Sequence, residues 1–89
     1  MNQIIVYGRV ISIDENRKEF VVSVPRTYLS YQGDYIEDKL LCSHFNNINK
    51  NMTSYICIDD SILIKGRLET RDEKCCIIVE SYKVLKRKV

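Results

Sequence analysis

The chain has no tryptophan, one proline, three glycines and one histidine among its 89 residues. Its apolar runs are only a few residues long, far below the roughly 18 that a bilayer-spanning helix needs, so no membrane span is expected. No basic-then-apolar leader opens the sequence, and the cytoplasm is the expected location. Scarce glycine and proline, with 45% hydrophobic and 29% charged residues, argue against disorder and for one folded domain. The lone histidine has no serine or cysteine partner at a recognisable spacing, and no glycine loop could cradle a phosphate. The chain is therefore not expected to be an enzyme. Cys42, Cys57, Cys75 and Cys76 lack C-x-x-C spacing, and the adjacent pair would point to opposite faces of a strand, so they read as reduced apolar residues. His44 and Cys42 find no two further ligands at the usual spacing, and no metal or cofactor is expected.

What is present is charge, unevenly spread. Fourteen basic groups face 12 acidic ones, a net of +2. Lys83, Lys86, Arg87 and Lys88 sit in the last seven residues without an acid, which leaves the first 82 residues with 10 basic and 12 acidic groups. Any electrostatic footprint must then be a local stripe, not a whole-surface field.

Hydrophobic alternation predicts strands over residues 2–13, 19–29, 39–45, 61–71 and 76–85, with polar turns at 14–18 and 71–74. Pro25 lies late in the second strand, where an edge or exit tolerates a missing N–H. Residues 30–38 carry turn chemistry at Gly33-Asp34 and two tyrosines, and read as a projecting loop. Residues 46–56 offer a short helical pattern through Ile48, Met52, Tyr55 and Ile56, weakened by asparagines. In the fourth strand Ile62, Ile64 and Leu68 alternate with Gly66 at the inward position between them, the mark of a close backbone approach. Gly8-Arg9 repeats the device in the first strand, and a tightly curled barrel results. Five strands with a helix between the third and fourth make an all-β OB-fold, a Greek-key barrel, over residues 1–85, with a basic tail at 86–89.

With Gly8-Arg9, the strand ending in Phe45, the helix ending at Tyr55, and Gly66-Arg67-Leu68-Glu69-Thr70-Arg71 in that order, the chain resembles the bacterial single-stranded DNA-binding proteins over nearly its whole length. The resemblance implies binding of single-stranded DNA with little sequence preference, in replication, recombination or mobile-element transfer. Bases stack on aromatic faces while Lys and Arg follow the phosphates. Phe45 matches a stacking position of the family, Tyr28 lies near another, and Tyr31 and Tyr35 could close over a strand. Arg9, Arg26, Lys39, Arg67 and Arg71 are the cations expected on that surface. Tyr7, Tyr55 and Tyr82 are expected to be structural, and His44, facing away from Phe45, to be buried or interfacial.

The departures matter too. Asp72-Glu73 stands where the family commonly has a further stacker, and the acidic-tipped tail of relatives is not expected here. Binding weaker and more salt-sensitive than in a full-length relative is expected. The first strand shows apolar residues on both faces, Ile5 and Ile11 opposite Ile4, Val6 and Val10, so a homodimer or homotetramer is expected. Two other readings stand beside this one: an OB-fold assembly subunit of the primosomal type that contacts replication or recombination proteins, and RNA binding by the same surface.

Overall fold

The computed structural model describes residues 2–44 and 52–87. Five strands, β1 (Ile4–Asp14), β2 (Glu19–Pro25), β3 (Glu37–Ser43), β4 (Ser61–Arg71) and β5 (Lys74–Lys86), close into a barrel in the order β1-β2-β3-β5-β4. All ladders are antiparallel except a short parallel one that joins Cys42 and Ser43 to Ile77 and Ile78. This is the expected OB-fold barrel. β1 makes closure feasible: residues Ile4 to Arg9 pair with β4, residues Arg9 to Asp14 pair with β2, and a bulge between Val10 and Ser12 bends the strand from one neighbour to the other.

Alternation sends Val6, Val10, Phe20, Val22, Cys42, Ile62, Ile64, Ile77 and Val79 inward, where all are buried. Gly8 and Gly66 occupy inward positions for the reason their setting suggested. A Cβ on Gly66 would collide with the Ile78 carbonyl oxygen, and one on Gly8 would stand 2.8 Å from the Ser23 carbonyl oxygen.

Several boundaries differ from expectation. β2 ends at Pro25, not Leu29; one further rung, from the Arg26 amide to the Ile36 carbonyl at 2.9 Å, closes the loop that follows. Leu68 is not inward and buried but 38% exposed. The β1 ladder stops at Ile4 opposite Gly66, so beyond that point β4 has only β5 beside it, and past Ile77, where β5 also parts from β3, the two strands run on as a ribbon. Asn2 ties the ribbon down, its side chain donating to the Leu68 carbonyl at 2.6 Å and accepting from the Leu68 amide at 3.0 Å. Of the expected helix, only a 3-10 turn at Met52–Ser54 falls within the described residues. Residues 46–51 lie outside them. Met52 and Ile56 are buried as the spacing predicted, whereas Tyr55 is exposed. Tyr7 is exposed as well, since it alternates outward with Ile5 and Arg9.

The expected boundary between barrel and tail falls inside β5, and Arg87 just beyond it is anchored. Its guanidinium donates to both oxygens of Asp60 at 3.2 and 3.1 Å and to the Tyr55 carbonyl at 2.9 Å. The Asp60 carboxylate is fully buried and also accepts the Cys57 amide at 2.8 Å.

Candidate functional site

The register of three strands lays out one outer surface. Arg9 lies opposite Ser23, itself buried, and Ser23 opposite Lys39; one row along, Ser12 lies opposite Val21 and Val21 opposite Leu41. Because side chains on one face recur every second residue, these two rows are neighbours about 7 Å apart. Toward the Glu19 end the surface deepens into two adjoining hollows of about 210 and 270 Å³, which share Arg17, Glu19 and Leu41. The first reaches Ser12 and Asp14 at the β1–β2 turn, and the second reaches Arg71, Lys74 and Cys76 at the β4–β5 ribbon.

At the opposite end of the β2–β3 ladder stands the tyrosine loop. Its tip is fixed by its own hydrogen bonds: the Ser30 amide donates to the Asp34 carbonyl at 2.7 Å, the Gly33 amide to the Ser30 carbonyl at 2.9 Å, and the Ser30 hydroxyl accepts the Asp34 amide at 3.0 Å. Gly33 adopts φ +85°, which the turn requires and glycine supplies without strain. Tyr28, Tyr31 and Tyr35 are presented outward, 61%, 105% and 91% exposed. The groove and Lys39 lie on the outward positions of β2 and β3, and the tyrosine loop joins these strands at their other end, about 20 Å away, the length of a seven-residue strand.

The candidate cations differ in what they can offer. Arg9 is held by Asp59 at 2.7 Å, Arg26 by Asp38 at 2.7 Å and Arg67 by Glu69 at 2.7 Å, with Glu80 a further 3.9 Å neighbour of Arg67. Arg67 lines neither hollow. Lys39 is exposed on β3 and no carboxylate pairs with it among the described residues. Arg71 lines the groove. Phe45, the expected stacker, lies outside the described residues.

Arg17, Leu41 and Lys74 line the groove and were missed from sequence. The signal for Leu41 was available: Val21-Val22 and Leu40-Leu41 are apolar doublets in strands, and in each one member must face outward. His44 is buried, as expected, with both ring nitrogens lacking a hydrogen-bond partner among the described residues. Burial, helped by the charge of Lys18, holds its pKa below the ordinary 6.5. Cys42 is pushed up to about 12, chiefly by burial and secondarily by Cys76, so its thiol is unreactive.

The fold of this five-stranded barrel is shared with solved structures. The chain aligns with a small single-stranded DNA-binding protein from Streptomyces coelicolor at a TM-score of 0.67 and 14% identity, covering 94% of each chain. A Plasmodium falciparum SSB in complex with ssDNA aligns at 0.70 and 14% identity, over 97% of this chain and 96% of the other. A mitochondrial single-stranded DNA-binding protein from S. cerevisiae aligns at 0.68 and 13% identity, over 98% and 97%. No family model and no curated protein matches the sequence. At such identities the likeness establishes a common fold across nearly the whole chain.

Proposed function

We propose that this chain is a binding module for single-stranded DNA with little sequence preference, acting in the cytoplasm in replication, recombination or mobile-element transfer of DNA. The observation that carries the reading is what β2 and β3 bring together: three exposed tyrosines in the loop at one end, Lys39 in the middle, which no carboxylate pairs among the described residues, and at the other end a groove bordered by Arg71 and Lys74 as well as Glu19 and Asp72. Rings for bases and cations for phosphates, set in line, are what a sequence-tolerant single-strand site consists of. The solved structures that share the fold include single-stranded DNA-binding proteins from three sources. Association into a homodimer or homotetramer belongs to the proposal, supported by Ile5, which stands 68% exposed on the outer face of β1.

Fluorescence anisotropy with labelled oligo-dT, oligo-rU and duplex at two salt concentrations tests it. Selective oligo-dT binding that weakens with salt is expected, with Tyr28→Ala and Tyr31→Ala each costing about 5- to 150-fold, the range for one stacked base. No detectable binding at micromolar protein in low salt would sink the reading. Equal oligo-rU affinity would assign the surface to RNA as well, since stacking ignores the sugar.

A second reading has its own observation. Arg9, Arg17, Arg26 and Arg67 are all paired with carboxylates of this chain, which suits an assembly subunit whose surface meets another protein better than one meeting a polyanion. Failure of oligo-dT binding would leave that reading in place.

A further inference from the structure

The tyrosine loop is net negative, whereas the groove lining sets Arg17, Arg71 and Lys74 against Asp14, Glu19 and Asp72. Residues 26–38 contain one cation, Arg26, against Asp34, Glu37 and Asp38. The one cation is occupied on two sides. Its Nε and Nη2 donate to the two oxygens of Asp38 at 2.9 and 2.7 Å, the bidentate fork geometry that a phosphate would otherwise take. Its Nη1 donates to the Tyr28 hydroxyl at 3.2 Å, and the guanidinium carbon lies 5.7 Å from the centre of the Tyr28 ring. The backbone fixes the arrangement too, because Val24 is in register with Asp38 and the Arg26 amide is bonded to Ile36. Arg26 therefore supports a ring, with its charge balanced, inside a loop whose remaining charges are negative. Such a surface favours the face of an unpaired base and repels a bare phosphate backbone.

We propose that Asp38 is the specificity-determining residue of the tyrosine loop. By occupying the Arg26 guanidinium it makes the loop a stacking platform that takes no phosphate, so the loop rewards exposed bases and gives nothing to polyanions whose bases are hidden or absent. The inference rests on the single-strand reading above and adds a mechanism of discrimination to it. Duplex DNA and heparin carry charge without accessible base faces, and they are the ligands the device rejects.

The test uses the whole chain in four forms: unaltered, Asp38→Asn, Arg26→Gln, and the two combined. Affinities for oligo-dT, a duplex of equal length and heparin are read across a salt series. Asp38→Asn keeps the side-chain shape and frees the cation. It is expected to strengthen duplex and heparin binding about tenfold at low salt. The slope of log K against log salt should steepen by about 0.9 on duplex, the value for one added phosphate contact. The selectivity for oligo-dT over duplex should fall. The combined variant should lose the gain, which shows that it acted through Arg26 and not through a general loss of negative charge. Arg26→Gln alone should weaken oligo-dT binding while leaving its salt slope unchanged. An unchanged slope and selectivity in Asp38→Asn, or a shallower slope in Arg26→Gln, overturns the proposal. If the unaltered chain ignores oligo-dT, the functional reading fails separately, and the heparin arm still decides whether Asp38 neutralises Arg26.

Discussion

Replacing Gly66 with alanine tests whether backbone proximity governs the barrel. The added methyl would overlap the Ile78 carbonyl oxygen and lie 3.0 Å from its carbon and 3.3 Å from the Val79 Cα. All three are backbone atoms, so no rotamer change relieves the overlap. β5 must retreat from β4 where their ladder already shifts, between Lys65 and Gly66, and where β4 also pairs with Ile4 of β1. Overpacking of this kind costs about 1–3 kcal/mol, and a rigid opponent puts this site at the upper end. One ladder hydrogen bond lost in the retreat adds about 1 kcal/mol. The alanine lowers unfolded-chain entropy and returns roughly 0.4–1 kcal/mol. The net expectation is a loss of about 3 kcal/mol, which in a domain of this size lowers Tm by roughly 12–24 °C. Urea unfolding followed by circular dichroism measures it. Gly8→Ala should cost less, about 1–2 kcal/mol, because one of its two closest contacts is the Val24 side chain, which can rotate. Stability of Gly66→Ala within about 0.5 kcal/mol of the unaltered chain, or a larger loss at Gly8, would refute the claim that the β4–β5 approach is what demands glycine there.

Lys39→Gln should weaken oligo-dT binding and make the slope of log K against log salt shallower by about 0.7, one phosphate contact on a single strand; an unchanged slope would remove Lys39 from the site. Burial alone would raise the Asp60 pKa, but the Arg87 hydrogen bond, the Cys57 amide and the Arg87 charge outweigh it and hold the pKa below 3.8. Asp60 therefore stabilises the fold above pH 3.8, and that contribution disappears as pH falls through its folded value. Arg87→Met should reverse the sign, so that stability falls from acid toward neutral pH over that group's titration; unfolding measured from pH 3 to 7 in both proteins checks it. His44 is held below 6.5 by burial and by Lys18. The unfolded chain takes up its proton first, so stability should fall as pH drops below 6.5, and the decline should vanish in His44→Gln.

Period-two patterning was enough to find all five strands, since each is bounded by turn residues and half-buried. The two inward glycines were readable for the same reason. The limits appear where a residue's fate depends on a neighbour that is distant in the chain. Leu68 continues the alternation of Ile62 and Ile64, but whether it is buried depends on where β1 stops, and the fourth strand's sequence does not record that. Pro25 marked the strand's end to within one rung, since the following residue still bonds to Ile36. Val21 and Leu41 were hidden in apolar doublets whose outward member only the register identifies.

Charge was the least readable property, because composition counts ions while function depends on which of them are already paired. Arg67 and Glu69 are two apart on one strand face, so their pairing was visible in the sequence. Arg9 meets Asp59 across 50 positions and Arg87 meets Asp60 across 27, and only closure of the barrel brings them together. The expectation of binding more salt-sensitive than in a full-length relative rested on a shortage of stackers, with Arg9, Arg26 and Arg67 counted among the cations of the surface. An arginine already in a bidentate carboxylate pair, as Arg26 is, releases few counterions when DNA arrives, unless its carboxylate is displaced. Salt sensitivity should then come from Lys39 and the groove, and base recognition from a loop whose own charge is negative. If the surface binds single strands as proposed, this arrangement would separate contact with bases from contact with phosphates along a single strand pair. The discrimination between single strands and other polyanions would then depend on Asp38, an acidic residue, more than on any of the arginines.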